Sequence, residues 1–273
     1  MKGICFIGAG KMAGAIAGGM VRKNMDREIY AFDPSATAAE HFRDVTGGTI
    51  CASAAEALEK AETVLLAVKP QYLAEAVAPI RERIGGRLVI SIVAGVTIDS
   101  LESLTGTGRV IRVMPNTPAL VGEGMSCIAA HPGVAEEDLA EAEALLSAVG
   151  LCRRVEEKQL DAVTGLSGSG PAFVLEFIQA LADGGVYAGL ARDVATELAI
   201  QTVLGSAKMA RETCSPIGVL RDAVISPGGT TSRGVMELAK GRFAATTAQA
   251  VIAAADRSTE LGAAAAKKKE VSA

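Results

Sequence analysis

The first fourteen residues, Met1-Lys-Gly-Ile-Cys-Phe-Ile-Gly-Ala-Gly-Lys-Met-Ala-Gly14, decide the fold of the amino-terminal part of this chain. Ile4 to Ile7 suits a strand that is buried on both faces, and the residues from Gly8 to Ala13 match the G-x-G-x-x-G/A turn that leads from such a strand into a helix. Gly8 permits a sharp turn, and Gly10 removes a side chain where backbone approaches a pyrophosphate. The stretch therefore predicts a dinucleotide site whose phosphates bind amides at the helix start.

The residues that follow support this interpretation over its alternative, a glycine-rich turn that serves packing alone. Glu28-Ile-Tyr-Ala-Phe32 has the composition of a second strand, and it ends at Asp33, nineteen residues after Gly14. A dinucleotide-binding βαβ unit carries an acidic residue at about this distance, where the carboxylate bonds a ribose hydroxyl.

Composition limits the class of protein. The 273 residues allow one large or two ordinary domains, and they are 49% hydrophobic but only 3% aromatic, with thirty glycines and no tryptophan. Small and aliphatic side chains must therefore fill the core. The formal net charge is −4 and no long block carries one sign, so nothing indicates a nucleic-acid partner.

The cysteines and histidines predict neither disulfides nor a metal site. An odd number of widely spaced cysteines indicates reduced core thiols in a cytosolic protein, with a catalytic cysteine as the less favoured alternative. Two histidines without paired ligand spacing do not suggest metal binding. No signal peptide or membrane span is recognised, so we expect a soluble, cytoplasmic protein without membrane contact. The cysteines are Cys5, Cys51, Cys127, Cys152 and Cys214.

Strand-like and helix-like stretches alternate up to about residue 156, which predicts a largely parallel, doubly wound sheet of Rossmann type in residues 1–156. The predicted strands are Ile4–Ile7, Ile29–Phe32, Thr63–Val68, Leu88–Ile92, Val110–Val113, Cys127–Ala130 and Cys152–Val155. The predicted helices are Lys11–Lys23, Thr37–Val45, Leu73–Ile84, Ile98–Leu104 and Glu136–Val149.

Residues 157–273 are predicted to form a second, all-helical domain. The apolar faces of its consecutive helices favour packing between subunits, with an intramolecular bundle as the alternative. The predicted helices are Pro171–Val186, Asp193–Thr213, Ile217–Val224, Thr231–Lys240 and Ala245–Leu261.

Two glycine-rich segments interrupt the helical part. Thr164-Gly-Leu-Ser-Gly-Ser-Gly-Pro171 lies at the predicted domain junction and suits a hinge or a tight packing site. In Val224-Ile-Ser-Pro-Gly-Gly-Thr-Thr-Ser232, two glycines leave amides unshielded just before a helix. Such a helix start can bind a carboxylate without an arginine, and an ordinary capped turn is the alternative.

Several of these motifs together resemble the pyrroline-5-carboxylate reductases, which catalyse the last step of proline synthesis. They occur in the order of that family across nearly the whole chain. The matching pieces are Phe6-Ile-Gly-Ala-Gly-Lys-Met-Ala13, Ala67-Val-Lys-Pro70, Ser91 with Ala94-Gly-Val-Thr97, Met114-Pro-Asn-Thr-Pro118, Thr164-Gly-Leu-Ser-Gly-Ser-Gly-Pro-Ala172 and Ser226-Pro-Gly-Gly-Thr-Thr231.

The resemblance implies hydride transfer from a reduced nicotinamide to the cyclic imine 1-pyrroline-5-carboxylate, which gives L-proline. It also implies a homodimer formed by the helical domain and a larger ring of dimers such as a decamer. The implied cofactor-binding residues are Gly8, Ala9, Gly10, Lys11, Met12, Asp33, Ser35, Ala67, Val68, Lys69, Pro70, Ala94 and Asn116. The implied substrate-binding residues are Val224, Ser226, Gly228, Gly229, Thr230 and Thr231.

Thr231 is the one catalytic residue that the resemblance implies, as a partner of the ring nitrogen. A protonated C=N bond accepts hydride readily, so the site needs mainly to hold imine and nicotinamide in contact, and no metal is required. Thr231 would orient the ring and supply the proton, with water as the rival donor.

Asp33 departs from many members of the family, which have a small hydroxyl or basic residue at this position to receive the 2′-phosphate of NADPH. A carboxylate suits the free 2′-hydroxyl of NADH and repels a phosphate. Ser35 and Thr37 could bond a phosphate if Asp33 turned away. The sequence thus favours NADH, or use of both cofactors.

Two other functions are considered. A β-hydroxyacid dehydrogenase would share the amino-terminal fold, but it needs a catalytic lysine on the helix after the glycine-rich junction, and no lysine lies between Lys158 and Lys208. A non-catalytic NAD(P)-sensing protein would bind the dinucleotide without needing the second glycine segment.

Overall fold

The computed structural model describes the chain from Gly3 to Glu270, with side chains described as far as Ala263. Two compact units are present: residues up to Gly168 together with those from Ala253 onward, and Ser169–Ile252. The domain boundary predicted after residue 156 stays a prediction; the compact units themselves part at Gly168, and the last helix contributes to both.

An eight-stranded sheet forms the centre of the first unit. Its order is β3-β2-β1-β4-β5-β6-β7-β8, and all neighbouring pairs are parallel except β6 with β7. This confirms the predicted Rossmann-type fold class. The strands are β1 (Ile4–Ile7), β2 (Ile29–Phe32), β3 (Thr49–Ile50), β4 (Thr63–Leu66), β5 (Leu88–Ser91), β6 (Val110–Met114), β7 (Gly124–Ala130) and β8 (Gly150–Arg154).

Strand β1 lies between β2 and β4, with Ile7 level with Phe32 on one side and with Leu66 on the other. All four β1 residues are buried, as the continuous apolar run predicts. Because β1, β2 and β4 run in one direction, the turns that leave them meet at one edge of the sheet. We call this edge, where strands β1 to β6 end, the carboxyl edge.

Helices cover both faces of this sheet. One apolar core contains Phe6, Ile16 and Leu145, and the other contains Leu58, Ile80 and Leu101. The α-helices of the first unit, apart from the carboxyl-terminal one, are α1 (Lys11–Arg22), α2 (Ala36–Thr46), α3 (Ala54–Glu59), α4 (Leu73–Val77), α5 (Arg81–Ile84), α6 (Ile98–Thr105), α7 (Glu136–Ser147) and α8 (Leu160–Val163).

The prediction of one continuous helix over Leu73–Ile84 is wrong, because the segment is interrupted. Short α4 and α5 are separated by a 3-10 turn at Ala78–Ile80. Pro79 lies in that turn, where it has no N–H to donate and its ring interferes with the preceding helical turn. The short elements β3 and α3 were not predicted, because two and six residues carry too little periodicity.

The second unit is helical throughout its regular elements, as predicted. It comprises α9 (Gly170–Tyr187), α10 (Arg192–Thr213), α11 (Ile217–Ala223), α12 (Thr230–Lys240) and the first part of α13 (Phe243–Glu270). Helices α9 and α10 pack through Ala182, Ala195 and Ala199, and the rings of Phe177 and Phe243 lie 5.5 Å apart. None of the described helices is long and apolar enough to cross a membrane.

Candidate functional site

The glycine turn after β1 is tightly packed at its first glycine. Gly8 has a φ of +98°, and its N–H donates to the carbonyl of Phe32 at 2.9 Å. A Cβ atom at Gly8 would lie 2.7 Å from the carbonyl oxygen of Ala67. Only glycine satisfies both the left-handed backbone and this close approach of β1 to the turn after β4.

The second glycine of the turn faces open space. Gly10 is exposed and immediately precedes α1, and a Cβ atom added to it would meet no other atom within 4 Å. No side chain caps α1, so its first backbone N–H groups have no side-chain partner. The open approach, the free amides and the positive end of the helix dipole fit a pyrophosphate.

Asp33 is fixed by the backbone around it. Its Oδ2 atom accepts a hydrogen bond from the Ala9 N–H at 2.8 Å, and its Oδ1 atom accepts one from the Ser35 N–H at 2.9 Å. The hydroxyl of Ser35 in turn caps α2 by accepting the N–H of Ala38 at 3.4 Å. The carboxylate is thus held beside the glycine turn, the position a ribose-binding acid requires.

A cavity of about 250 Å³ opens at the carboxyl edge, beside the glycine turn. Five predicted cofactor residues line it: Met12, Ala67, Val68, Lys69 and Ala94. Its walls also contain Met114 and Pro115, which belong to a motif of the family resemblance although they were not named as cofactor-binding residues, and Ile92, which was assigned no role from the sequence. Met114 ends β6 and Pro115 follows it, and this position at the carboxyl edge was the signal that could have assigned them to the cavity.

The other predicted cofactor residues differ in their surroundings. Lys11 and Pro70 are exposed, at the starts of α1 and of the 3-10 turn Pro70–Tyr72. The side chain of Asn116 bonds within the protein: its Oδ1 accepts the Met125 N–H at 2.8 Å, and its Nδ2 donates to Ser167 at 3.2 Å. Asn116 therefore braces the loop after β6 against β7, and direct contact with cofactor stays a prediction.

The second glycine segment forms a strained turn before α12. Gly228 has a φ of +68°, and the N–H of Gly229 donates to the carbonyl of Ser226 at 3.1 Å. A Cβ atom at Gly229 would clash with the Ser226 hydroxyl oxygen. The Ser232 hydroxyl donates to the Gly229 carbonyl at 2.7 Å. The left-handed backbone therefore favours glycine at position 228, whereas a side chain at position 229 would force the Ser226 hydroxyl to rotate.

The start of α12 leaves groups available for a ligand. Gly229 precedes the helix without a side-chain cap, so the amides that follow it, those of Thr230 and Thr231, lie in the first turn and lack intrahelical partners. Thr231 is half-buried, and in the described part of the chain its hydroxyl has no hydrogen-bond partner. Val224 and Ser226 are exposed at the entrance of the turn.

A second, larger cavity of about 330 Å³ lies at the opposite, amino edge of the sheet. Its polar side chains are paired with one another: Arg109 makes two bonds to Asp138 at 2.7 and 2.9 Å, and Glu141 accepts the Thr63 hydroxyl at 2.5 Å. The hydrogen bonds that Arg109 donates to Asp138 raise the pKa of Arg109 above its ordinary value. This cavity offers a ligand few unused polar groups.

Four of the five cysteines have thiols that burial keeps from being activated. Burial raises the pKa of the Cys5 and Cys152 thiols to about 12 and also raises the pKa values of Cys51 and Cys127. These four thiols stay protonated at neutral pH and act as small apolar side chains. Cys214 differs from them because it is exposed, after the last turn of α10.

Comparison with known families covers most of the chain. Residues 157–261 match the family model described as pyrroline-5-carboxylate reductase dimerisation. Residues 3–95 match the model described as NADP oxidoreductase, coenzyme F420-dependent. The first match covers most of the helical region, and the second covers strands β1 to β5 of the sheet.

Individual relatives match over nearly their full length. The pyrroline-5-carboxylate reductase of Arabidopsis thaliana is 45% identical over 260 residues, which are 94% of each chain. A solved pyrroline-5-carboxylate reductase from Coxiella burnetii is 34% identical and superposes with a TM-score of 0.89, covering 94% of this chain and 97% of that one. The Plasmodium falciparum pyrroline carboxylate reductase with NADP bound is 32% identical, with a TM-score of 0.85 and coverage of 96% and 98%.

Proposed function

The chain belongs to the pyrroline-5-carboxylate reductase family, and from this premise we propose that it reduces 1-pyrroline-5-carboxylate to L-proline with a reduced nicotinamide cofactor. The observation that carries the proposal is the match over 94% of both chains to a reductase at 45% identity. The two family models match residues 3–95, which include the glycine turn, and residues 157–261, which include the glycine segment before α12. The match to the reductase sets aside the dehydrogenase and sensor alternatives.

We propose that the cofactor binds at the carboxyl edge of the sheet. The free amides at the start of α1 bind the pyrophosphate, and Gly10 leaves space for it. Met12, Ala67 and Ala94 present an apolar wall to the nicotinamide. When bound, the reduced nicotinamide supplies the hydride.

The proposed preference between NADH and NADPH rests on Asp33. Both of its carboxylate oxygens accept backbone N–H groups, so turning the side chain away would leave the amides of Ala9 and Ser35 without these partners. A carboxylate fixed in this place accepts a ribose hydroxyl and repels a 2′-phosphate. We therefore propose that NADH is preferred, although NADP is bound in the relative from P. falciparum.

The glycine segment before α12 is proposed to bind the substrate carboxylate. Because the Gly229 amide already donates to Ser226, the amides available to a ligand are those of Gly228, Thr230 and Thr231. The last two lie at the positive end of the helix dipole and favour an anion there. Gly229 is therefore proposed to shape the turn and not to donate its own amide to the substrate.

Thr231 is proposed to orient the imine. Its hydroxyl has a free donor and free lone pairs, so it can bond the ring nitrogen and fix the orientation of the ring. The imine needs one proton at nitrogen, which the hydroxyl can pass on or which water can supply. Neither route requires a residue with a shifted pKa.

Replacement of Thr231 tests this role. Thr231→Val keeps the shape and removes the hydroxyl, and we expect kcat with pyrroline-5-carboxylate to fall roughly tenfold to a hundredfold. Thr231→Ser should restore most of the activity, and the Kd for NADH, measured by fluorescence titration, should stay unchanged in both. Wild-type turnover in Thr231→Val would exclude this residue from the reaction.

The helical region is proposed to form a homodimer, and the dimers to form a larger ring such as a decamer. The family model that matches residues 157–261 is named for dimerisation. Several apolar side chains on α9 and α10 are exposed in the isolated chain, among them Leu175, Tyr187, Leu198 and Leu204. Light scattering on the eluting protein measures the number of subunits directly. The cytoplasmic location stays a prediction.

A further inference from the structure

We infer that Glu157 is a positioning residue of the reductase, which holds two walls of the cofactor cavity in place although it lies outside the cavity. The inference rests on the proposed cofactor site at the carboxyl edge. Glu157 follows β8 at the start of the 3-10 turn Glu157–Gln159. Sequence analysis gave it no role.

One carboxylate oxygen of Glu157 joins two separate elements. Its Oε1 atom accepts the N–H of Ile98, the first residue of α6, at 2.7 Å. The same atom accepts a hydrogen bond from Nη1 of Arg112, on β6, at 3.0 Å. The carboxylate thus caps the start of α6, where the helix dipole favours a negative charge, and ties that helix to β6.

Both tied elements lead directly into the cavity. The segment 92–97 connects β5 to α6, and it carries the wall residues Ile92 and Ala94. On β6, Met114 lies two residues after Arg112 and therefore on the same face of the strand, and it is a wall residue as well. Movement of either element would change the width of the cavity between these two walls.

An apolar cluster reinforces the same connection. Ile98 and Leu160 are buried beside Cys127 and Ala129, and Met114 packs against this group. The first turn of α6 is therefore fixed by packing through Ile98 and by the bond from its N–H to Glu157. The sequence position of Leu160, three residues after Glu157, places both contacts on one short stretch of chain.

The ion pair is shielded enough to resist rearrangement. The Arg112 side chain is only 11% exposed, and that of Glu157 is 31% exposed. Loss of the carboxylate leaves a mostly buried guanidinium without this partner, and Arg112 must then move toward water. Because Arg112 and Met114 share one face of β6, that movement disturbs the cavity wall.

The experiment measures cofactor affinity and stability together in Glu157→Ala, Glu157→Gln and Glu157→Asp. We expect Glu157→Ala to raise the Kd for NADH about tenfold, which corresponds to a loss of about 1.4 kcal/mol of binding free energy. Glu157→Gln keeps an acceptor oxygen for the Ile98 N–H and should recover most of the affinity. Glu157→Asp keeps the charge but withdraws the oxygen by one methylene, and it should weaken binding even if Glu157→Ala does not fold.

Asp138→Ala is the matched control, since it breaks a partly buried ion pair of the same unit at the amino edge. It should lower the melting temperature without changing the Kd for NADH. Lowered melting temperatures with unchanged Kd in both Glu157→Ala and Glu157→Asp would overturn the positioning role while leaving the proposed function intact. Failure of the wild-type protein to bind either nicotinamide cofactor would overturn the proposed function, and this inference with it.

Discussion

The two edges of one sheet carry cavities of opposite character. The larger cavity, at the amino edge, is lined by charged side chains that pair with one another, among them Arg109 and Asp138. The smaller cavity, at the carboxyl edge, has mostly apolar walls and adjoins a helix start with free amides. Polar groups without partners, and not volume, therefore distinguish the proposed binding site.

The difference arises from how the chain leaves and enters its parallel strands. At the carboxyl edge, the turns place small residues such as Gly8, Gly10 and Ala94 next to the starts of helices. At the amino edge, long side chains such as Arg87 and Arg109 bond carbonyls and carboxylates around the strand entrances. The carboxyl edge is therefore the one proposed to bind an anion, whereas at the amino edge the charged side chains pair with one another.

Of the substitutions that test the difference between the two edges, Gly10→Asp should produce the largest change, a loss of affinity for NADH. The backbone and the space around Gly10 tolerate a side chain, but a carboxylate there would face the pyrophosphate. Two like charges about 4 Å apart near a protein surface repel by up to about 4 kcal/mol, so we expect the Kd for NADH to rise at least about 100-fold. Calorimetric titration measures this change.

Gly86→Asp is the control for that substitution, because Gly86 lines the amino-edge cavity and a Cβ atom there also meets no atom within 4 Å. Its Kd for NADH should equal the wild-type value. Equal weakening by the two substitutions would contradict the assignment of the cofactor to the carboxyl edge.

Asp33→Ser, at the carboxyl edge, should change the preference between NADH and NADPH. The substitution removes the fixed negative charge beside the proposed ribose site. We expect the ratio of kcat/KM for NADPH to that for NADH to rise by about tenfold or more, as removal of one charge repulsion implies. Asp33→Asn keeps an acceptor oxygen without the charge and should show a similar rise. An unchanged ratio in both variants would remove Asp33 as the discriminating residue.

Asp138→Ala should affect stability alone. The Asp138 side chain is 10% exposed and that of Arg109 is 44% exposed, so the pair is only partly shielded. We expect its loss to lower the free energy of unfolding by about 1–3 kcal/mol, less than for a fully buried pair. Thermal unfolding measures the loss, and an altered KM for NADH would show that the two edges are coupled.

Arg154→Met should produce the smallest effect. Hydrogen bonds from Arg154 lower the pKa values of Glu136 and Glu143, and these groups lie at the surface. A carboxyl group whose pKa is lower in the folded than in the unfolded protein stabilises the fold at a pH above its unfolded-state pKa. This contribution is lost as the pH falls through the folded-state pKa. The variant should melt slightly below the wild type at pH 7, and the difference should vanish in acid. A difference that grows with acidity would contradict this account.

Much of the fold could be predicted because its long elements carry clear periodicity. The continuous apolar runs of β1 and β5 indicated buried parallel strands, and the helices α9 to α12 were found to within about two residues. Short elements such as β3 were missed. The last helix extends to Glu270, beyond the predicted Ala245–Leu261, because alanine and lysine favour a helix even where the apolar spacing ends.

The site was predictable only where a motif carried the chemistry. The glycine turn and Asp33 satisfy the requirements of dinucleotide binding, which are visible in one stretch of sequence. Ile92 lies outside every motif, and it meets Met114 at the cavity because β5 and β6 are neighbours in the sheet. Glu157 contacts Ile98 across 59 positions of sequence, a distance at which no local pattern operates.

The most direct test of the central claim is the initial rate of NADH oxidation by the wild-type protein and by Gly10→Asp, with and without pyrroline-5-carboxylate. The account predicts oxidation that depends on the imine and yields L-proline in equal amount for the wild type, and its near-complete loss in the variant. Folded wild-type protein that oxidises neither NADH nor NADPH in the presence of the imine would contradict it.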